Sequence, residues 1–157
     1  MRIRKAVLED AETVGEVHSK AWKQAYKKLF PAEYLLNDSA EKRKAEFLAD
    51  IQDAGCTYFL LEEGNAAAGI LKANSAEDKL EISSIYIFEE YRGKGFGTQA
   101  LDFIKKISAQ QTIFLWVLEK NAKAIAFYEK NGFKFAHKTR TINRGAGFTQ
   151  LMYKFQQ

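Results

Sequence analysis

The apolar positions of this chain change their spacing several times, and each change marks an element. Arg2 to Val7 alternates polar and apolar residues, which predicts a first strand. From Glu9 to Leu29 the spacing lengthens. Val14, Val17, Ala21 and Ala25 fall three or four apart, on one face of a helix, and Pro31 ends that region. Asp38 stands three before Glu41, the spacing of a capping box, and predicts a helix through Asp53 that Gly55 closes. Thr57–Glu62 and Ala67–Ala73 return to strand character around Gly64-Asn65, a hairpin pattern. Lys79–Phe88 is the next strand. Ala100–Ala109 reads as a helix with Leu101, Ile104 and Ile107 on one face and Lys105 and Lys106 outside. Thr112–Leu118 is β-branched and aromatic. Asn121 caps a helix over Ala122–Lys130, which Asn131-Gly132 ends. Phe133–Thr139 and Phe148–Phe155 are two last strands around a turn that holds Gly145 and Gly147.

The order is therefore β-α-α-β-β-β-α-β-α-β-β. Three consecutive strands favour hairpin pairing, and the later β-α-β unit favours one parallel pair. The expectation is an α/β fold of α+β type: a mixed, bent sheet of six to seven strands with helices on both faces. No linker, repeat or low-complexity segment interrupts the pattern, so residues 1–157 read as one domain. With 46% hydrophobic and 28% charged residues, the chain has enough apolar surface to build a core. A chain of this size buries about 68–70% of its unfolded surface.

Composition then narrows the function. No apolar run approaches the roughly 18 residues of a membrane span. Met1-Arg2-Ile3-Arg4-Lys5 is not followed by a signal-peptide core. Cys56 is the lone cysteine and cannot form an internal disulfide. It reads as a packed or half-packed thiol, and a cytoplasmic setting is expected. The net charge of +4 is mild, and charges of both signs are interspersed. This pattern carries no nucleic-acid motif and suits an anionic small molecule at least as well. His18 and His137 lie far apart with no cysteine partner, so no metal is expected.

The chemistry is concentrated in Arg92-Gly93-Lys94-Gly95-Phe96-Gly97-Thr98. This glycine-rich turn follows the run from Ile82 to Ile87 and precedes a helix. Such a turn aims several backbone N–H groups into one small volume, and the helix adds partial positive charge. That arrangement suits a pyrophosphate. The turn is not a Walker A loop, because no Gly-Lys-Thr ends it. Nor is it a dinucleotide fingerprint, because Gly93, Gly95 and Gly97 simply alternate.

Downstream, Asn121-Ala122-Lys123-Ala124-Ile125-Ala126-Phe127-Tyr128-Glu129-Lys130-Asn131-Gly132-Phe133 follows the pattern N-x-x-A-x-x-F-Y-x-x-x-G-F. Together with Arg92-x-x-Gly95-x-Gly97 it resembles the GNAT superfamily of N-acetyltransferases. The resemblance is strong over residues 80–135. It is looser in Ala21-Trp22 and from Leu29 to Leu35.

The resemblance implies acetyl-CoA as co-substrate. Its pyrophosphate would sit on the backbone of Gly93, Lys94, Gly95, Phe96, Gly97 and Thr98, with Arg92 leading in. Glycine at 95 and 97 would let the backbone approach the phosphates. The pantetheine arm would pair with Ile85, Tyr86 and Ile87, where the family splays strands four and five, often with a bulge. The Ile87 region would donate to the thioester carbonyl, and Asn121 and Ala124 would touch the arm.

Tyr128 would supply a proton to the departing thiolate; the plainer reading is a core tyrosine. Glu81 lies eleven residues before Arg92 (92 − 81 = 11), similar to the base carboxylate of the histone-acetylating branch. The plainer reading is a strand residue paired with Lys79 or Lys72. Trp116 stands where another branch carries a glutamate, and Tyr86 and Glu119 are weaker stand-ins for the base. For the acceptor, Trp22 and Tyr26 read as exposed aromatics opposite the Val14-Val17-Ala21 face, either lining an amine pocket by cation–π contact or packing a rim. Glu33, Asp38 and Glu46 read as solvated charge or as attractors of a cation. His18 reads as a surface or packed residue, or as a helper in proton transfer.

The implied activity is direct transfer of an acetyl group from acetyl-CoA to a primary amine of a small molecule. Leu80-Glu81-Ile82-x-x-Ile85-Tyr86-Ile87 resembles polyamine-acetylating members. No covalent acyl-enzyme is expected, because Cys56 lies outside both motifs. A protein amine as acceptor and a non-catalytic acyl-CoA sensor are the alternatives, and a nucleic-acid binder ranks last. The assembly would be a monomer, or a homodimer through the last strand.

Overall fold

Seven strands form one sheet in the order β1-β2-β3-β4-β5-β7-β6. They are β1 (Arg2–Lys5), β2 (Cys56–Glu63), β3 (Ala66–Ala76), β4 (Lys79–Ile87), β5 (Thr112–Leu118), β6 (Lys134–Asn143) and β7 (Gly147–Phe155). The computed structural model describes residues 1–156. Only β4 and β5 run parallel; every other neighbouring pair is antiparallel. The helices are α1 (Ala11–Tyr26), α2 (Ala32–Leu36), α3 (Ala40–Asp50), α4 (Phe96–Ile107) and α5 (Ala122–Lys130).

The strand period of two divides the core between two faces. Tyr58, Leu60 and Ile70 meet Val14, Val17 and Phe47 of α1 and α3. Their neighbours Phe59, Leu61 and Leu71 point the other way and meet Leu101 and Ile104 of α4. Central strands covered on both faces must be nearly continuous in apolar residues, as Tyr58–Leu61 is. The expected mixed sheet with helices on both faces is what forms.

Local boundaries differ where tertiary partners intervene. Ser39, not Asp38, caps α3: its side chain accepts from the Lys42 N–H at 3.2 Å. Asp38 is instead held by the Arg43 guanidinium at 2.7 Å. That helix ends at Asp50 rather than Asp53. The first helix stops at Tyr26, and α2 follows Pro31 as an added short turn. The helix after the glycine turn starts at Phe96, four residues before the periodicity implies, because Gly95 at φ +80° takes the left-handed N-cap position and the Phe96 ring is buried. β6 continues to Asn143, past an irregularity between Phe135 and Thr139 where His137 adopts φ +56°.

His18 is 1% exposed on α1, and neither ring nitrogen has a hydrogen-bond partner among the described residues. Burial, helped by the positive charge of Arg43, pushes its pKa down to about 3. The ring is therefore neutral and packed, and its pKa lies far below the range of a proton carrier at neutral pH. An unfolded chain protonates this histidine near the usual value of about 6.5. Between those two values the unfolded state binds more protons, so this group's stabilisation is whole above 6.5 and is lost as the pH falls toward 3. At pH 5 the loss is about 2 kcal/mol. Thermal unfolding of wild type and a His18→Leu variant at pH 7 and pH 5 checks this. The wild type is expected to lose more stability than the variant between the two pH values, and equal losses would contradict it.

Candidate active site

β4 and β5 pair only over Lys79–Glu81 and Thr112–Phe114, after which they part. The cause is visible in β4. Lys72 faces Ser84 while the next residue, Ala73, faces Ile82, so Ser83 is an extra residue that bends the strand. Ser83 is pinned there by the Asn74 side chain. Beyond the bulge the antiparallel ladder resumes, with the Phe88 N–H on the Ala68 carbonyl at 2.9 Å. Antiparallel bonding alternates along a strand. Counting back from Phe88 therefore turns the amides of Ile87 and Ile85 away from β3, toward the gap that β5 has left.

That gap opens into a cleft of about 530 Å³. Ile85, Tyr86 and Ile87 form one side, and Asn121, Ala124 and Tyr128 of α5 form the other. Arg92, Gly93, Gly95, Phe96 and Gly97 close one end. The Arg92 Nε donates to the Ile87 carbonyl at 2.9 Å and ties the turn to the strand end. The first bond within α4 runs from the Gln99 N–H to the Gly95 carbonyl at 3.0 Å. The amides of Phe96, Gly97 and Thr98 precede it and have no intrahelical acceptor. They are oriented donors at the positive end of the helix, a fit for phosphate oxygens. A Cβ on Gly97 would lie 2.8 Å from the Phe127 ring, so glycine there makes room for a side-chain wall of the cleft. The Asn121 side chain accepts from the Ala124 N–H at 3.2 Å, the cap that fixes the start of α5.

A second pocket, of about 340 Å³, adjoins the first. Tyr26, Tyr86 and Trp116 line both and form the wall between them. Glu81 lies on the second pocket, as do Trp22, Arg43, Lys72, Arg140 and Arg144. A groove shaped for an extended phosphorylated cofactor thus meets a small polar chamber at three aromatic rings.

Residues 19–133 match the model of the acetyltransferase (GNAT) family. The chain belongs to the GNAT acetyltransferases. It is 31% identical over 142 residues to a spermidine N(1)-acetyltransferase of Thermoplasma acidophilum, covering 85% of this chain and 88% of that protein. It is 27% identical over 137 residues to an N-alpha-acetyltransferase of Sulfurisphaera tokodaii, covering 85% and 80%. Among solved structures, the PaiA N-acetyltransferase of Thermoplasma acidophilum in complex with coenzyme A superposes with a TM-score of 0.77 at 26% identity, covering 98% of each chain. The GNAT enzyme described here is thus an acyltransferase that uses acetyl-CoA as co-substrate. Among the described residues no cluster of His, Cys, Asp and Glu is arranged to hold a metal ion. Nor, among the described residues, is any helix long and apolar enough to cross a membrane.

Most of the residues expected at the GNAT cofactor site share the larger cleft. Two do not line it. Lys94 places its ammonium 5.4 Å from the centre of the Tyr91 ring, and Thr98 is exposed on α4. The Tyr128 ring packs against Phe127 and Phe133, with centroids at 5.3 and 5.8 Å. Burial, with a smaller contribution from Tyr86, raises its phenol pKa. The hydroxyl therefore stays protonated at neutral pH. Cys56 lines neither pocket, and burial also raises its thiol.

Several readings of the acceptor side change. Trp22 is 8% exposed, not an open aromatic, because the chain after α1 folds back and brings Phe30 and Tyr34 over it at 5.9 and 6.0 Å. The cation over its ring is the chain's own Arg43, at 5.3 Å. Tyr26 stacks on Phe30 at 4.5 Å, and its hydroxyl lies 3.3 Å from that of Tyr86. Asp38 and Glu46 are not free charges: Arg43 holds both, at 2.7 and 3.0 Å. Lys72 is held by Glu46 and Asp50 at 2.9 and 2.7 Å, so it is not the partner of Glu81. The wall residues that periodicity did not single out include Arg43, Arg140, Arg144 and Gln150. Arg140 and Arg144 fall beyond Thr139, where the expected strand ends, and the register shift between Phe135 and Thr139 hides the continuation from a period-two pattern.

Proposed function

We propose that this enzyme acetylates a primary amine of a small molecule by direct attack in a ternary complex. The observation that carries the reading is the junction of the two pockets at Tyr26, Tyr86 and Trp116, with Tyr128 on the cofactor side and Glu81 on the other. Acetyl-CoA, when bound, supplies an activated acetyl thioester. The residues of the chain do the rest. The amides of Phe96 and Gly97 hold the pyrophosphate, and the Ile85 and Ile87 amides face the pantetheine arm. The Ile87 amide donates to the carbonyl that must be polarised. Much of the acceleration comes from holding the two reactants in register.

An alkyl amine with a pKa near 10.4 is neutral in roughly one molecule in 2,500 at pH 7, so an acceptor for its proton is needed. Glu81 takes it, directly or through a water. Tyr128 donates its hydroxyl proton toward the sulfur as the thiol leaves. A polyamine acceptor is supported by the name of the spermidine N(1)-acetyltransferase relative. The chamber itself offers a polycation little. It presents Arg43, Lys72, Arg140 and Arg144 against Glu46 and Glu81, and Glu46 is already paired.

A thiol-release assay with acetyl-CoA and a panel of small amines tests the proposal. Release is expected only when an amine is present, with stoichiometric N-acetyl product. Tight acetyl-CoA binding without release for any small amine, and release with an amine-bearing peptide, would move the acceptor to a protein.

A further inference from the structure

Resting on the acetyltransferase reading above, we infer that the acceptor carries an oxyanion, a carboxylate or a phosphate, as well as its amine, and that Arg140 and Arg144 hold that anion. The chain has six arginines. Arg2, Arg4, Arg43 and Arg92 each have a carboxylate within 4.0 Å. Arg140 and Arg144 have none among the described residues, and both line the acceptor chamber. Two cations converging on one small pocket, neither paired with a carboxylate, repel each other, an arrangement that a bound oxyanion relieves.

Both arginines are set in place. Arg140 lies opposite Gln150 in the β6–β7 register, and its Nε donates to the Gln150 Oε1 at 2.7 Å. Its guanidinium lies over Trp116, 4.3 Å from the ring centre. These contacts fix the plane of the group and leave its two terminal nitrogens uncommitted, the fork that matches an oxyanion. Arg144 is on the β6–β7 turn and donates from Nη1 to the Asn143 carbonyl at 2.7 Å. The turn is pressed onto the α2 segment, where a Cβ on Gly145 would lie 2.9 Å from that of Tyr34. Arg140 has a lowered pKa: desolvation lowers it, Glu81 opposes that, and Arg144 adds a smaller lowering.

The cations on the opposite wall do not compete, since Arg43 and Lys72 are engaged by Asp38, Glu46 and Asp50. The groups left to meet the acceptor are two arginines and Glu81. An amine directed to Glu81 and an anion directed to the arginines describe a zwitterion of amino-acid type.

The test is steady-state kinetics with matched acceptors: amino acids against their methyl esters and decarboxylated amines, together with phosphoethanolamine and spermidine. The acidic members are expected to show kcat/KM at least ~10-fold above their neutral partners. Arg140→Gln and Arg144→Gln are expected to erase that preference, chiefly through KM, while calorimetry shows acetyl-CoA still bound. Preference for the carboxylate or the phosphate arm identifies the anion. Independently, succinate added to the acetyl-CoA complex should raise the Tm of wild type and not of the variants. Transfer to esters or spermidine at equal or higher kcat/KM overturns the inference and leaves the acetyltransferase reading standing. So does an acid preference that survives both substitutions, or, if no acceptor in the panel turns over, the absence of succinate protection. Failure to bind acetyl-CoA at all would instead remove the reading on which it rests.

Discussion

Tyr128→Phe is expected to lower kcat by about 10²–10³-fold and to leave the affinity for acetyl-CoA unchanged. The substitution removes one oxygen and keeps the ring. Phe127 and Phe133 pack on that ring, so the core beneath α5 has no reason to move. What is lost is a protonated donor. Burial raises the phenol pKa above its ordinary value near 10, so the hydroxyl is a weaker acid than a free phenol but is always charged with its proton. Its role in the proposed mechanism is to place a hydrogen bond where negative charge gathers on sulfur, with full transfer completing as the thiol departs. A raised pKa also predicts that Tyr128 adds no descending limb to the kcat–pH profile between pH 7 and 9. The measurement is kcat and KM for both substrates, with calorimetry of coenzyme A as the control. Full turnover in a variant that binds coenzyme A normally would end the assignment.

Gly97→Val is expected to act on the other parameter. The added Cβ falls 2.8 Å from the Phe127 Cζ, 3.1 Å from its Cε2 and 3.6 Å from the Ile87 Cδ1. Both neighbours line the cofactor cleft. To admit the side chain, the ring or the first turn of α4 must shift, and either shift moves the amides proposed to hold the pyrophosphate. Overpacking of this kind costs about 1–3 kcal/mol. If it is expressed in the bound state, the Kd for coenzyme A rises roughly 5- to 150-fold. A second substitution, Phe127→Leu, opens the space and is expected to recover part of the loss, a coupling that a double-mutant cycle measures. Unchanged coenzyme A affinity in a folded Gly97→Val protein would show that the close approach does not serve the cofactor. The two variants separate the proposed roles: one moves turnover at fixed affinity, the other affinity first.

Much of the candidate cofactor cleft is legible in the sequence. The glycine turn, the Asn121 cap and Tyr128 lie within 37 consecutive residues, 92–128, and each is a local instruction. A left-handed glycine begins a helix, an asparagine side chain caps one, and an i, i+4 pattern places Ala124 and Tyr128 along a single face. Local rules act within a turn or two of chain, so the sequence carries them openly. Even here a tertiary effect shifted a boundary: burial of Phe96 drew the start of α4 forward into the turn.

The acceptor side was poorly legible, because its properties arise between residues far apart in the chain. Trp22 loses its exposure to Phe30 and Tyr34. Lys72 is claimed by Glu46, 26 positions earlier, which leaves Glu81 facing the chamber without it. Arg140 reaches Trp116 only because β6 continues past the irregular backbone at His137 and pairs with β7 as far as Asn143. A slip of one residue in such a strand would send its side chains to the opposite face. On its own, then, the chain's pattern determined the order of the strands and longer helices, the two-faced sheet and the candidate cofactor motifs, since periodicity and caps are short-range. The bulge at Ser83, the parting of β4 from β5 and the charge lining the acceptor chamber were decided only by tertiary packing, because ion pairing and strand register depend on which distant segments meet.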